Sequence, residues 1–244
     1  MRMKKTTRKQ LRTIRRRRLA LALVGAMAMP AALAQSLPSG YTVVNGDPTI
    51  GSVGTQMTVT QTTKGAIIDW GSFNIGAGYG VTFDQQFGAS SVTLNRVVGF
   101  GYSTSASQID GTLTSNGNVF IINPAGIAFG NNAQVNVGGI VASTQWMNAG
   151  DFTGQFVFSG FNGDASPSHQ VRNNGTITAG AGGVGLVGQT VWNSGAITSN
   201  GGNIVAGAGT QVTLDLVGDG LTQVTINVPP TVDTGVIQGR FGSM

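Results

Sequence analysis

A twenty-residue self-similarity constrains this chain more than any single motif does. The segments "NNGTITAGAGGVGLVGQTV" (173–191) and "NSGAITSNGGNIVAGAGTQV" (193–212) align at an offset of 20. Asn173 then matches Asn193, Gly175 matches Gly195, Ile177 matches Ile197, Thr178 matches Thr198 and Gly182 matches Gly202. A further copy lies upstream in "DGTLTSNGNVFI" (110–121), whose "TSNGNV" returns as "TSNGGNI" at 198–204. A period near twenty with Gly or Asn at each corner indicates a solenoid of β-coils.

The residue types supply the physical reason. In such a solenoid each coil hydrogen-bonds to its neighbours at ~4.7–4.9 Å, so equivalent side chains stack on one another. Stacked Ile, Leu and Val make a dry interior. Corners need positive φ, which Gly supplies and Asn tolerates. Charges repeated on every rung would repel. Alternating or β-branched runs such as "YTVV" (41–44), "QMTVTQ" (56–61), "SVTLNRVV" (91–98) and "QVTLDL" (211–216) fit strands, and helix signals are almost absent. The expected fold is all-β. Roughly twenty residues per coil would give about ten coils.

Charge placement excludes one class of partner. Ten of the fourteen Lys and Arg residues lie in the first eighteen positions, followed by the apolar run Leu19–Met29, Pro30 and the small-residue pattern Ala32–Leu33–Ala34. That order reads as a signal peptide over 1–34, with cleavage between Ala34 and Gln35. The apolar run has eleven residues, against the ~20 a permanent span requires. Beyond the cut stand Lys64, Arg96, Arg172, Arg240 and nine Asp, a formal charge of 4 − 9 = −5. A nucleic-acid partner is not expected, because phosphate binding rests on clustered cations. With no cysteine in the chain, stability must come from packing and backbone hydrogen bonds.

At "NVFIINPAGIAFG" (118–130) the sequence resembles the N-terminal secretion domain of two-partner secretion exoproteins, the filamentous haemagglutinin-like adhesins with their haemagglutination activity domain. "GAIIDWGSFNIGAGYGVTFDQ" (65–85), "NRV" (95–97), "IDGTLTSNGNVFIINPAGIAFG" (109–130) and "VNVGGIVAST" (135–144) follow the family's order, and the resemblance runs from about Tyr41 to Val228. It implies a right-handed parallel β-helix with an N-terminal β cap and an extra-helical hairpin or flap. It also implies export to the periplasm, recognition there by the periplasmic domains of an outer-membrane β-barrel transporter, passage through that barrel unfolded, and folding at the surface of a Gram-negative cell. A host-cell or glycan receptor would be a further partner. The expected layout is signal peptide 1–34, cap 35–66, β-helical secretion domain 67–230 and C-terminal tail 231–244. Candidate recognition or signature-turn residues are Asn95, Arg96, Asn123, Pro124, Ala125 and Gly126. Ala125 departs from the family's Asn-Pro-Asn-Gly corner and removes an amide there; Pro124 and Gly126 still suit a turn.

Chemistry is poorly supported by the residues. His169 is the single histidine and lies in the polar run "NGDASPSHQ" (162–170); no Gly-x-Ser-x-Gly elbow is present, and one His without Cys does not suit zinc. No cofactor is expected. The rival reading is a β-helical polysaccharide lyase or glycoside hydrolase using Asp215 and Asp219, joined by Asp110 or Asp69, since glycoside cleavage needs two carboxylates ~5–9.5 Å apart. The glycines beside Asp219 favour solvated turns for that pair. Trp70, Trp146 and Trp192 with Phe152, Phe156, Phe158 and Phe161 could form a sugar-stacking platform, but "DFTGQFVFSGF" (151–161) alternates as a flap over the core would. Arg96 needs a partner, with Asp110 or Asp84 as candidates. Circular dichroism of the chain from Gln35 should be strand-dominated, and a helical spectrum would overturn this assignment.

Overall fold

The computed structural model describes residues 36–98, 105–149, 156–159, 170–208, 211–215, 223–227 and 236–239, the last two and 156–159 and 211–215 by backbone alone. In chain order the strands are β1 (Thr42–Asn45), β2 (Pro48–Val53), β3 (Gln56–Gln61), β4 (Gly65–Trp70), β5 (Gly80–Gln85), β6 (Val92–Val97) and β7 (Ser107–Ile109). Then come β8 (Thr112–Ser115), β9 (Asn118–Ile122), β10 (Ile127–Phe129), β11 (Gln134–Ser143), β12 (Phe156–Ser159) and β13 (Gln170–Asn173). The series ends with β14 (Thr176–Gly188), β15 (Thr190–Asn193), β16 (Ala196–Ser199), β17 (Ile204–Ala208), β18 (Gln211–Asp215), β19 (Gln223–Asn227) and β20 (Val236–Gly239). A short 3₁₀ turn, Gly88–Ser90, separates β5 from β6.

These strands wind into a three-faced parallel β-helix. The first face stacks β3, β5, β8, the start of β11, the start of β14 and β16. The second stacks β4, β6, β9, the end of β11, the end of β14 and β17. The third stacks β7, β10, β13, β15 and β20, with Ile75 bridged to Ile109 in the first coil. The described strands stack as six rungs, about five turns from first to last, and not as ten coils, because only the last repeats keep the twenty-residue period.

Registers show why the pattern works. Met57, Val81, Leu113, Val135, Ile177 and Ile197 form one inward ladder, each at most 5% exposed. Ile177 pairs directly with Ile197, as the repeat predicts. Where β11 and β14 run through the corner between faces one and two, glycines take the bend. A Cβ on Gly138 would lie 2.7 Å from the Gly117 carbonyl oxygen of the coil before, so no other residue fits there without a shift.

The extra residues leave from one place. Segments 98–106, 144–169 and 209–235 all connect the second face to the third. From the latter two come β12, β18 and β19, an antiparallel three-stranded sheet outside the coil repeat. The expected flap is thus part of a sheet, and Asp215 belongs to β18 opposite Gln223, not to a turn. Phe152, Phe161, His169 and Asp219 lie outside the described residues, as do Ala34 and Gln35.

At the other end, β2 pairs antiparallel with β3 and β1 antiparallel with β4. Since β3 and β4 already pair in parallel with the second coil, the stack begins at Gln56 and not at Ile67; the strands lying across its open edge are β1 and β2. An uncovered edge would present a row of unpaired N–H and C=O groups. Deleting residues 36–53 should therefore cause aggregation and loss of protease resistance, read by size-exclusion chromatography and limited proteolysis. A truncated chain that stays monomeric and resistant would count against that role.

Candidate functional site

The signature segments, dispersed in sequence, meet at the second face and its corner with the third. Each comes from a different coil: Trp70–Gly76 from the first, Asn95–Val97 from the second, Asn123–Gly126 from the third and Val141–Thr144 from the fourth.

Alternation along β6 sends Thr93, Asn95 and Val97 inward and Leu94 and Arg96 outward. Asn95 is fully buried and stands in the ladder between Ile68 and Ile121. It is there for a neighbour: the indole Nε1 of buried Trp70 donates to its Oδ1 at 3.0 Å, while its Nδ2 donates to the Phe120 carbonyl at 3.1 Å. Trp70 also packs on Tyr41 and Phe73, with ring centroids 5.7 and 5.6 Å away. A buried indole N–H without an acceptor would be costly, and the amide removes that cost.

Arg96 stands outward on the rung beside Asp69. It donates to both carboxylate oxygens, Nε to Oδ1 at 2.7 Å and Nη2 to Oδ2 at 2.9 Å, a bidentate pair. Asp69, not Asp110 or Asp84, is therefore its partner. The other side of the guanidinium faces the Trp146 ring, 5.1 Å from the centroid, and Nη1 reaches the Met147 carbonyl at 3.4 Å. Arg96 thus ties coils one, two and four together beside an outward apolar stripe of Ile67, Leu94, Phe120, Ile122, Val141 and Val187, all buried.

The Asn123 corner is similarly locked. Asn123 is fully buried; its Oδ1 accepts from the Ala125 N–H at 2.9 Å, and its Nδ2 donates to Ser107 Oγ at 2.9 Å and to the Ser105 carbonyl at 3.1 Å. Its own N–H donates to the Ser143 carbonyl at 2.9 Å, so one residue joins coils two, three and four. Gly126 closes the turn with its N–H on the Asn123 carbonyl at 3.0 Å and has φ of 120°, a region unfavourable to any side chain. Pro124 and Ala125 are half-buried at the surface of the corner.

The residues weighed for chemistry are kept apart. Asp69 is taken by Arg96. Asp110 braces the turn after β10, accepting from Asn132 N at 3.1 Å and from Asn132 Nδ2 at 3.2 Å. Asp84 stands on the outside of the first face. No cluster of three His, Cys, Asp or Glu occurs among the described residues. Nor do the tryptophans form one platform: Trp70 is in the core, Trp146 lies against Arg96, and Trp192 stands exposed on the third face.

Sequence reasoning missed the Trp70–Asn95 bond and a buried spine at the corner between faces one and two. There Gln85 Nε2 donates to Gln61 Oε1 at 3.2 Å and to Thr93 Oγ1 at 2.9 Å, Ser115 Oγ donates to Gln85 Oε1 at 2.6 Å, and Thr93 Oγ1 meets Gln61 Oε1. The signal was available: Gln61 and Gln85 both follow an alternating strand at its inward phase.

The model of the TPS secretion domain matches residues 34–239. The chain belongs to that family. It is 43% identical over 114 residues, 47% of its length, to a heme/hemopexin-binding protein of Haemophilus influenzae (strain ATCC 51907 / DSM 11121 / KW20 / Rd), and 42% identical over 90 residues, 37% of its length, to another from Haemophilus influenzae. These matches take in 12% and 9% of the relatives' own lengths. The crystal structure of the HMW1 secretion domain from Haemophilus influenzae superposes with a TM-score of 0.71 at 34% identity, covering 78% of this chain and 49% of that one. In this TPS secretion domain the segments that carry the sequence resemblance stack at one corner built from four coils.

Asn95→Ala should leave the Trp70 indole N–H without its acceptor in the core. The expected loss is about 1–3 kcal/mol, seen as a lower thermal midpoint with altered tryptophan fluorescence. An unchanged midpoint would refute the role assigned to this amide.

Proposed function

We propose that this TPS secretion domain serves as the export module of an adhesin-like exoprotein. In this reading the signal peptide delivers it to the periplasm, the periplasmic domains of a cognate outer-membrane transporter recognise it, and it crosses the barrel unfolded to fold outside. The single observation that carries the proposal is the family match over residues 34–239 on a solenoid of the same architecture. The physical character of the chain supports the route. It has no cysteine to form a bridge that would obstruct threading. A solenoid whose coils contact mainly their neighbours can fold as successive coils emerge, and burial on the far side opposes backsliding. The role requires no catalysis and no cofactor; a host-cell or glycan receptor belongs to the same proposal.

Burial of Asn95 and Asn123 bears on how recognition would work. Side chains sealed in the folded corner are accessible to the transporter only before that corner closes, whereas Pro124 and Ala125 lie at its surface. The corner is proposed to act through folding. Asn123→Ala removes three side-chain hydrogen bonds, at about 1–3 kcal/mol; Gly126→Val forces a β-branched residue to positive φ, at about 1–3 kcal/mol. Both variants should lower the calorimetric midpoint and the secreted yield together. Weaker binding of Asn123→Ala to the transporter's isolated periplasmic domains, with the midpoint unchanged, would instead make the side chain itself the recognised feature.

A further inference from the structure

The outside of the first face has no role in the corner just described, and its chemistry is distinct from that of the other two. Its central ladder runs Thr58, Thr82, Thr114, Asn136, Thr178, Thr198, six hydroxyl or amide side chains on successive rungs. Thr112, Gln134 and Thr176 flank it two residues earlier on consecutive coils. All of these are exposed or half-exposed. The equivalent outer surface of the second face is apolar and buried, and the third carries Arg172 and Trp192 on adjacent rungs.

From this contrast we infer that the first face is a binding surface for an extended, uncharged glycan chain lying along the stack of coils. Rungs ~4.7–4.9 Å apart present one polar side chain each, in a straight file, to a polymer whose hydroxyls recur at every sugar. The hydrogen-bond capacity is of the right kind: Thr hydroxyls donate and accept, and Asn136 offers both functions of its amide. Thr82 Oγ1 and Thr114 Oγ1 lie 2.9 Å apart, so each is oriented by its neighbour and retains capacity toward solvent.

Charge selects the class of glycan. Asp84 is the sole charged side chain in the shallow groove, of about 450 Å³, that includes Thr58, Thr82, Thr114, Asn116 and Asn136. No cation faces this groove among the described residues, so a polyanionic chain would meet repulsion with no compensation, whereas a carboxylate readily accepts from neutral sugar hydroxyls. Asn116 is held in place by the Gln85 backbone, its Oδ1 accepting from Gln85 N at 2.8 Å and its Nδ2 donating to Gln85 O at 2.9 Å. A single carboxylate lacks the second group that glycoside cleavage requires, so the surface binds without cutting. The inference rests on the surface display proposed above.

The test uses the secreted chain and cellohexaose, an extended neutral oligosaccharide, with a hexamer of alginate as the charged comparator. Titration followed by backbone amide NMR should shift resonances of β5, β8 and β11 at millimolar cellohexaose and not with alginate. Thr82→Val with Thr114→Val retains strand-favouring residues and removes two hydroxyls; affinity should drop about tenfold while the thermal midpoint and secreted yield stay as in the parent. The idea is overturned by an absence of shifts at millimolar cellohexaose, by tighter binding of alginate, by unchanged affinity in the double variant, or by shifts confined to the third face. Concentration-dependent self-association that the double variant abolishes would overturn it in favour of packing between copies. Loss of secretion by the parent chain, by contrast, would strike the export proposal and leave the glycan measurement on refolded protein to be judged separately.

Discussion

Every side chain in this solenoid sits about one rung spacing, ~4.7–4.9 Å, from the side chain in register on the next coil, and the remaining architecture follows from that constraint. A residue is tolerated only if it tolerates the residue above and below it. Aliphatic on aliphatic satisfies the rule in the ladder from Met57 to Ile197, and hydroxyl on hydroxyl satisfies it outside the first face. Charge on like charge does not. The only described ladder position where two charges are adjacent pairs opposite signs, Asp69 with Arg96.

The same constraint explains why the buried polar side chains, the ion-paired Arg96 apart, are amides and hydroxyls. An amide carries a donor and an acceptor without net charge, so it can bond to a copy of itself on the next rung while filling the backbone needs of a corner. Asn173 Nδ2 donates to Asn193 Oδ1 at 2.8 Å, and Asn173 Oδ1 accepts from Gly175 N at 3.1 Å. Gln61 and Gln85 do the equivalent at another corner, and Asn95 does it for an indole. Each lies in a dry interior where an unpaired group would cost more than the bond returns. Thus polar stacking fixes register where an all-aliphatic interior would permit slippage.

What the sequence disclosed depended on whether a coil carried an insertion. The final repeats run from 173 to 208 without interruption, so Asn173/Asn193, Gly175/Gly195 and Ile177/Ile197 reveal their stacking at once. Earlier coils are widened by the turn Gln86–Ser91 and by segments 98–106 and 144–169, which shift equivalent positions apart and hide the period. The same widening holds the number of coils below the ten that a uniform twenty-residue period would give. Gln56–Gln61 reads as an ordinary alternating strand, and only its parallel pairing with β5 assigns it to the first coil. The partner of Arg96 was beyond reach for a related reason: Asp69 is 27 positions away, and neither neighbour predicts a register set by the width of the intervening corner. Asn95 was legible as an inward position from alternation alone, but its bond to Trp70 needed the stacking of the first two coils.

Placing the three long insertions at the corner between the second and third faces has a structural consequence. Backbone that leaves the repeat must be covered or satisfied elsewhere, and here two of the insertions pair with each other as β12, β18 and β19. The second face can then carry an apolar exterior, since Trp146 and Met147, at the root of one insertion, pack against it and are held by Arg96. The first face receives no insertion and stays polar along its whole height. One edge of the solenoid is thereby committed to internal fixation, with Asn95 and Asn123 sealed inside it, while the opposite surface is left in contact with solvent. Asn95 and Asn123, in buried, cross-coil bonds, specify how the coils close; any recognition that acts on the finished domain has to use the faces that those bonds leave open.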